Sequence, residues 1–271
     1  MSVSHPIART AFYCCVIRAD DALLPRPVCG DQLAARFLDD DIRRDLQPAV
    51  RFKAPARSNV VRHRMIDDIV RETLASDPQR RIILLGAGFD TRAFRLSGGR
   101  WVEVDDEQLL AFKETRLPAA EAPNPLVRTP VLFDRVDPDA LLAPLAGDDD
   151  AIVVLEGVSM YLSDAALATF AAALARQLPH ATLVCDLMTP RFARTFSRNL
   201  QQALLALGAR FGDRQVQPET LLMDAGWQPV SRTSIPGRTA ELGSIAIPAW
   251  VLATVLRGLR DGYVLWTFRR A

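Results

Sequence analysis

Lysine is nearly missing from this 271-residue chain, occurring only at Lys53 and Lys113, so arginine carries almost all the positive charge. A GC-rich coding sequence explains that bias without a functional cause. The net charge is only +1, which removes the electrostatic case for nucleic acid or an anionic membrane as partner. Histidine is confined to His5, His63 and His180, and cysteine to Cys14, Cys15, Cys29 and Cys185. None of these residues has metal-ligand spacing, so no metal is expected and the thiols read as reduced. No stretch approaches the ~20 apolar residues of a membrane span. The apolar run 11–17 meets Arg18, Asp20 and Asp21 at once and makes a poor signal peptide, so a cytoplasmic location is expected. Repeats and low-complexity tracts are absent too. The chain is 49% apolar, enough for a large core in one α/β domain with insertions.

The most informative stretch runs from Arg81 to Arg92. Ile82-Ile83-Leu84-Leu85 reads as a fully buried strand. It enters Gly86-Ala87-Gly88, where the missing Cβ atoms let a ligand approach the backbone. Asp90 and Thr91 are placed to cap a following helix. Strand, glycine loop and helix start together open a nucleotide-type site at the carboxyl edge of a parallel sheet. By itself the loop also suits simple packing of a helix on a strand. Trp101-Val102-Glu103-Val104-Asp105 then reads as the next strand, and its terminal acid suits ribose hydroxyls. Capping the helix expected over 108–114 is the other role open to Asp105.

Two ligand classes share this topology: a nicotinamide or flavin dinucleotide, which implies an oxidoreductase, and S-adenosylmethionine (SAM). The third glycine of the dinucleotide fingerprint is replaced by Thr91. Asp90 stands where a pyrophosphate would bring its charge, a repulsion of about a few kcal/mol at short range. SAM has no phosphate, and its sulfonium and ammonium tolerate nearby acids, so the residues favour SAM. A further buried strand, Ala151-Ile152-Val153-Val154-Leu155, ends in Glu156, which is placed either for the ammonium or toward water. A helix over 58–70 carries Arg62, suited to the SAM carboxylate as a bidentate donor or to a solvated face.

The run Gly86-Ala87-Gly88-Phe89-Asp90-Thr91-Arg92, the Glu103-Val104-Asp105 segment with Lys113 behind it, and Glu156-Gly157-Val158-Ser159-Met160-Tyr161-Leu162 together resemble the leucine carboxyl methyltransferase family. That family includes protein phosphatase methyltransferases and bacterial polyketide O-methyltransferases. The segment from Arg62 to Asp68 is similar as well, as is the run from Thr10 to Ala34, so the resemblance covers nearly the whole chain. It implies that Arg62 holds the SAM carboxylate, Gly86 and Gly88 form the loop beneath it, and Asp105 binds the ribose. It further implies that Asp134 binds the adenine amine and that Glu156 lies near the methionine end. Glu107 departs from the pattern, which often has proline there, and the residues flanking Asp134 differ from the usual run.

Strands expected near 81–86, 100–105, 129–133, 150–156 and 180–186 alternate with helices, the pattern of an α/β doubly wound, mostly parallel sheet. Segments 226–230 and 263–268 would complete seven strands, and the resemblance implies that the last is antiparallel. Residues 1–57 are expected to form a helical cap with a helix near 31–46, and 189–217 a helical lid; 242–256 is a further lid candidate. The expected activity is O-methylation of a small-molecule acceptor at a carboxylate, which needs no base, or at a hydroxyl, which is helped by one. A non-catalytic SAM-fold module remains the other open class. His63 is the best-placed base candidate but equally a structural residue, so no catalytic base is assigned. Arg92, Arg95, Arg191, Arg194 and Arg198 are candidates for holding an acidic acceptor, and Tyr161 faces either the transfer site or the core. Replacing Arg62 with alanine is expected to weaken SAM binding while the fold survives.

Overall fold

Seven strands form one sheet: β1 Arg81–Leu85, β2 Arg100–Asp105, β3 Leu126–Pro130, β4 Ile152–Leu155, β5 Thr182–Met188, β6 Trp227–Ser234 and β7 Tyr263–Arg270. The computed structural model describes residues 6–131, 137–147 and 149–270. Spatial order is β3-β2-β1-β4-β5-β7-β6. The first five strands are mutually parallel, and β7 runs antiparallel between β5 and β6.

Alternation along the central strands feeds two cores. Ile83 and Leu85 join Val153, Leu155 and Leu183 on one face, while Ile82 and Leu84 join Ile152, Val154 and Val184 on the other. Both faces are covered, so these strands need continuous apolar runs rather than alternating ones. Helix Asp164–Gln177 contributes Leu167, Ala171 and Leu174 to the first core, a spacing that keeps them on one helical face. Helix Lys53–Ser76 contributes Val61, Met65, Ile66, Val70 and Leu74 to the second. Each such side chain, fully buried, stabilises the fold by about 1.5–3 kcal/mol before entropic losses.

Several expected boundaries shift for identifiable reasons. The helix carrying Arg62 spans Lys53–Ser76, longer than 58–70, because Pro55 sits in its first turn, where a missing N–H costs nothing. The helix expected over 31–46 is divided. Asp31 caps a 3₁₀ turn, Gln32–Phe37, and Asp39 accepts from the Ile42 N–H to start a second helix, Asp40–Val50. Strand β3 lies earlier than 129–133. It is the sheet's edge, so its sequence is only partly apolar, and it ends at Pro130, a residue an edge strand tolerates.

The N-terminal helix Pro6–Ala22 docks beside the glycine loop. Phe89 of that loop packs against Phe12 at 4.5 Å between ring centroids, Phe37 at 4.8 Å and Phe112 at 5.7 Å. Arg18 reinforces the contact by donating to the Phe89 carbonyl at 2.7 Å.

Candidate active site

Strand order reverses between β1 and β4, so their following connections diverge and open a crevice at the carboxyl ends. Gly86 follows β1, Asp105 ends β2 and Glu156 follows β4. A cavity of about 150 Å³ there is lined by Gly86, Gly88, Asp105 and Glu156, with Arg62 entering from the helix beneath. Five of the six expected site residues therefore meet at one place. Asp134 lies outside the described residues.

The loop depends on glycine for two separate reasons. Gly86 has φ of +73°, and a Cβ there would lie 2.4 Å from Val158 Cγ2. Gly157, after β4, has φ of +69°, and a Cβ would come within 3.0 Å of Arg62 Nη2. Both positions combine a left-handed backbone with a neighbour at close range.

Asp105 does not cap the next helix. Asp106 does, accepting from the Gln108 and Leu109 N–H groups, and Glu107 simply occupies the first helical position. Asp105 instead accepts from the Gly88 N–H at 2.6 Å and the Asp106 N–H at 2.7 Å, which fixes its carboxylate at the cavity wall. Burial pushes its pKa up, and these two N–H groups partly offset that.

Glu156 and Arg62 belong to one buried ionic network. Arg62 Nε lies 3.1 Å from Glu156 Oε1, and its Nη1 is 3.1 Å from Asp186 Oδ2 and 2.8 Å from the Tyr263 hydroxyl. Glu156 Oε2 also meets Arg92 Nη2 at 2.9 Å and His63 Nδ1 at 3.2 Å. Burial opposes ionisation of Glu156, yet Arg92 and these partners hold its pKa well below the ordinary range. Asp186 was missed in the sequence; an acid inside the otherwise apolar run of β5 was the available signal.

Arg92 and Arg95 serve this network rather than a substrate. Arg92 is fully buried, with its Nε 2.6 Å from Asp67 and its Nη1 paired with Asp90. Arg95 Nη1 lies 2.8 Å from Asp67, and its Nη2 contacts His63 Nε2 at 2.9 Å. His63 Nδ1 lies 2.8 Å from Arg92 Nη2 and 3.2 Å from Glu156 Oε2, so each ring nitrogen faces a guanidinium that can only donate. Burial, then Arg92, depresses the His63 pKa, so the ring is neutral. His63, Asp90 and Glu156 lie close enough together to suggest a cation site, but the Arg92 guanidinium already supplies their positive charge.

Asp90 is therefore not a free charge facing the loop. Its Oδ1 accepts from the Arg92 N–H at 2.7 Å and its Oδ2 pairs with the Arg92 side chain. The expected repulsion of a pyrophosphate by Asp90 is largely cancelled, and that reason for excluding a dinucleotide weakens. Thr91 does not cap the short helix Arg92–Arg95 through its side chain; its hydroxyl donates to Asp31 at 2.7 Å and accepts from Arg95 Nε at 2.7 Å.

A second cavity, of about 190 Å³, adjoins the first and shares Cys14, Arg62, Gly157 and Tyr161 with it. Its walls are mainly apolar: Met160, Met188, Phe192, Phe196, Leu200 and Tyr263. Phe192 and Phe196 come from and just after helix Pro190–Thr195, and Leu200 from helix Arg198–Ala206. Ile245 and Ile247 close another side. Tyr161 faces both cavities, its hydroxyl bonded to Thr10. Arg191, Arg194 and Arg198 are exposed and line neither cavity.

A 3-2-1-4-5-7-6 sheet with an antiparallel seventh strand, a glycine loop after β1 and acids after β2 and β4 defines a class I SAM-dependent methyltransferase fold. Residues 11–175 match the leucine carboxyl methyltransferase family model, and the chain belongs to that family. It is 29% identical over 204 residues to the tetracenomycin polyketide synthesis O-methyltransferase TcmP of Streptomyces glaucescens, covering 72% of this chain and 70% of that protein. It is 38% identical over 174 residues to a Streptomyces coelicolor protein with a provisional SAM-dependent methyltransferase assignment. That match covers 58% of this chain and 59% of the relative, so the chain spans about three-fifths of its length. A DUF574-family protein from Streptomyces avermitilis superposes with a TM-score of 0.60 at 14% identity, covering 97% of each chain. Magnesium protoporphyrin IX methyltransferase from Synechocystis, solved with S-adenosylhomocysteine, gives 0.50 at 12% identity, covering 96% of this chain and 100% of that one. At these identities the structural likeness is one of fold.

Proposed function

We propose that this protein is a SAM-dependent O-methyltransferase acting on a carboxylate or hydroxyl of a small-molecule acceptor, possibilities that include polyketide-type molecules. The observation that carries the reading is the meeting of Arg62, Asp105 and Glu156 around a glycine-lined cavity that adjoins an apolar one. The donor set suits SAM. Asp105 offers carboxylate oxygens to a ribose diol, and Glu156 offers an anionic acceptor to the ammonium. With Nε and Nη1 of Arg62 engaged, Nη2 faces the gap over Gly157 and is available to the SAM carboxylate. Bound SAM supplies an electrophilic methyl group.

The chain's own contribution is orientation and exclusion of water, which can lower a barrier by about 7–11 kcal/mol in favourable cases. The described part of the N-terminal segment, residues 6–57, acts as a cap over the cofactor, placing Thr10, Ala11, Cys14 and Arg18 on its cavity. Residues 189–217 act as a lid over the acceptor, through Phe192, Phe196 and Leu200. The relationship to TcmP supports a polyketide-type acceptor. No described helix is long and apolar enough to cross a membrane.

Calorimetry with SAM, S-adenosylhomocysteine and NADH tests the cofactor, and labelled methyl transfer into a cell extract tests the activity. Binding of NADH as tight as SAM, or no transferred label, overturns the reading.

A further inference from the structure

A third cavity, of about 530 Å³, adjoins the apolar one and shares Met160, Met188 and Leu204 with it. Two helices form the partition. On helix Pro190–Thr195, Phe192 lines the apolar cavity, while Pro190, Ala193 and Arg194 line the third. On helix Arg198–Ala206, Leu200 lines the apolar cavity, Gln201 and Leu205 the third, and Leu204 both. Segment 209–215 supplies another wall and brings Arg210, Asp213 and Arg214.

Arginine in this chain is normally paired. Among the described residues, the side chains of Arg9, Arg26, Arg191, Arg194, Arg198 and Arg210 make no ion pair, hydrogen bond or ring contact, and the last four lie within 191–210. Of these, Arg194 and Arg210 line the third cavity. Arg214 is already engaged: its Nη2 donates to the Ser159 and Leu162 carbonyls at 2.7 and 3.0 Å, and its Nε lies 3.8 Å from Asp164 Oδ1. The one acid among the described lining residues is Asp213, which accepts from Gln215 Nε2 at 2.9 Å. Two unpaired guanidinium groups thus stand against one carboxylate, and the wall carries a surplus of positive charge.

Resting on the methyltransferase reading, we propose that the third cavity is a subsite for the acceptor's distal end, where Arg194 and Arg210 bind an anionic group, a carboxylate or a phosphate, remote from the oxygen that receives the methyl. A molecule that starts at the cofactor junction, beside Gly157 and Tyr161, crosses the apolar cavity and passes Met160, Met188 and Leu204 ends at these arginines. The guanidinium fork suits either anion. The reacting oxygen, at the other end, can belong to a carboxylate or a hydroxyl. Arg194 and Arg210 touch no reacting atom; they select acceptors that are long enough and acidic at the far end. Both are exposed, so their pull is modest and salt-sensitive.

The test is fluorescence titration, at low ionic strength, of protein loaded with S-adenosylhomocysteine. The probes are 8-anilinonaphthalene-1-sulfonate, whose sulfonate stands in for the anion, and N-phenyl-1-naphthylamine, the same skeleton without it. Both are expected to bind and to displace one another. Arg194→Gln and Arg210→Gln should each weaken the sulfonate by about two- to fivefold, the range of an exposed ion pair, and together by more than either alone. Neither should change affinity for the neutral amine or for S-adenosylhomocysteine. Arg26→Gln, at an unpaired exposed arginine that lines none of the three cavities, should leave both probes unaffected. Displacement of the sulfonate by 2-naphthoate and by 2-naphthyl phosphate separates the two anions, the tighter one naming the acceptor's group. Inorganic phosphate alone should displace it far less. No sulfonate binding, no mutual displacement, unchanged sulfonate affinity in the double variant, equal loss of both probes, an equal loss in Arg26→Gln, or displacement by inorganic phosphate as effective as by naphthyl phosphate overturns the assignment. Failure of S-adenosylhomocysteine to bind the wild-type protein overturns the cofactor reading and this inference with it. Normal cofactor binding with any of the adverse probe results overturns the inference alone.

Discussion

The Arg62 guanidinium lies 3.1 Å from the Asp186 carboxylate, joining the helix before β1 to the strand on the far side of β4. Both side chains are buried, and Glu156 completes the group at 3.1 Å. The residue best suited to the SAM carboxylate is thus also a structural tie. Removing it leaves Glu156 without one partner and Asp186 without its guanidinium.

The expectation that Arg62→Ala leaves folding intact does not survive that geometry. Breaking a buried ion pair by deleting one partner costs about 3–5 kcal/mol. The alanine variant should therefore lose both SAM affinity, by more than tenfold, and a large part of its thermal stability. Arg62→Lys retains a charge but not the planar fork, and should fall between the two. Calorimetry and thermal melts of both variants check this; an alanine variant as stable as wild type would refute the tie.

Asp105 and Glu156 should affect different halves of the cofactor. Asp105→Asn should reduce affinity for adenosine and for SAM alike, because the ribose is common to both. Glu156→Gln should weaken SAM by about tenfold and leave adenosine nearly unchanged. Glu156→Gln should also lower the melting temperature, since Arg92 and Arg62 lose a charged partner. Equal effects of both substitutions on adenosine would reverse the assigned orientation.

His63 should make the fold sensitive to mild acid. Its pKa is lowered in the folded protein by burial and Arg92, while the unfolded chain titrates near the ordinary value of about 6.5. Below that pH the unfolded state binds a proton that the folded state does not. Stability therefore falls as pH falls through about 6.5, approaching about 1.4 kcal/mol per pH unit until the folded ring also protonates. Melts between pH 7.5 and about 5 should show a slope that His63→Gln flattens. A second loss follows in stronger acid from Asp31. Burial opposes its ionisation, but Arg18 and other partners lower its pKa from 3.8 to about 2. Its contribution is present above about pH 4 and is lost as pH falls through about 2.

Gly86→Ala should abolish cofactor binding and destabilise the protein, since its Cβ would lie 2.4 Å from Val158 Cγ2. Val158→Ala in the same chain removes the collision but not the penalty of the left-handed backbone, about 1 kcal/mol or more. Partial recovery of stability is expected from the double variant. Full recovery would show that φ matters little at this position, and none would show that Val158 is not the obstacle.

The sheet was legible because its central strands are buried on both faces and so appear as uninterrupted apolar runs, as at Ile82–Leu85 and Ile152–Leu155. β3 was misplaced because an edge strand carries no such run. The glycine loop and the acids at 105 and 156 could be read from spacing along single segments. The ties of Arg62 to Asp186 and Tyr263, and of Arg92 to Asp67, could not, since each joins residues far apart in sequence. Arg92 and Arg95 resembled surface cations because nothing local records their burial. Asp90 misled for the same reason: its neutralising partner is two residues away, but the pairing depends on a turn that sequence alone does not fix.

Phe89 imposes an order on the chain's manufacture. The aromatic faces of Phe12 and Phe37 emerge from the ribosome well before the ring they close upon. Through that interval the earlier segment is an apolar surface waiting for its lock, open to chaperones and to aggregation. It is sealed only when β1 has set the loop beside it, so rings made before the loop must wait for it to find their place.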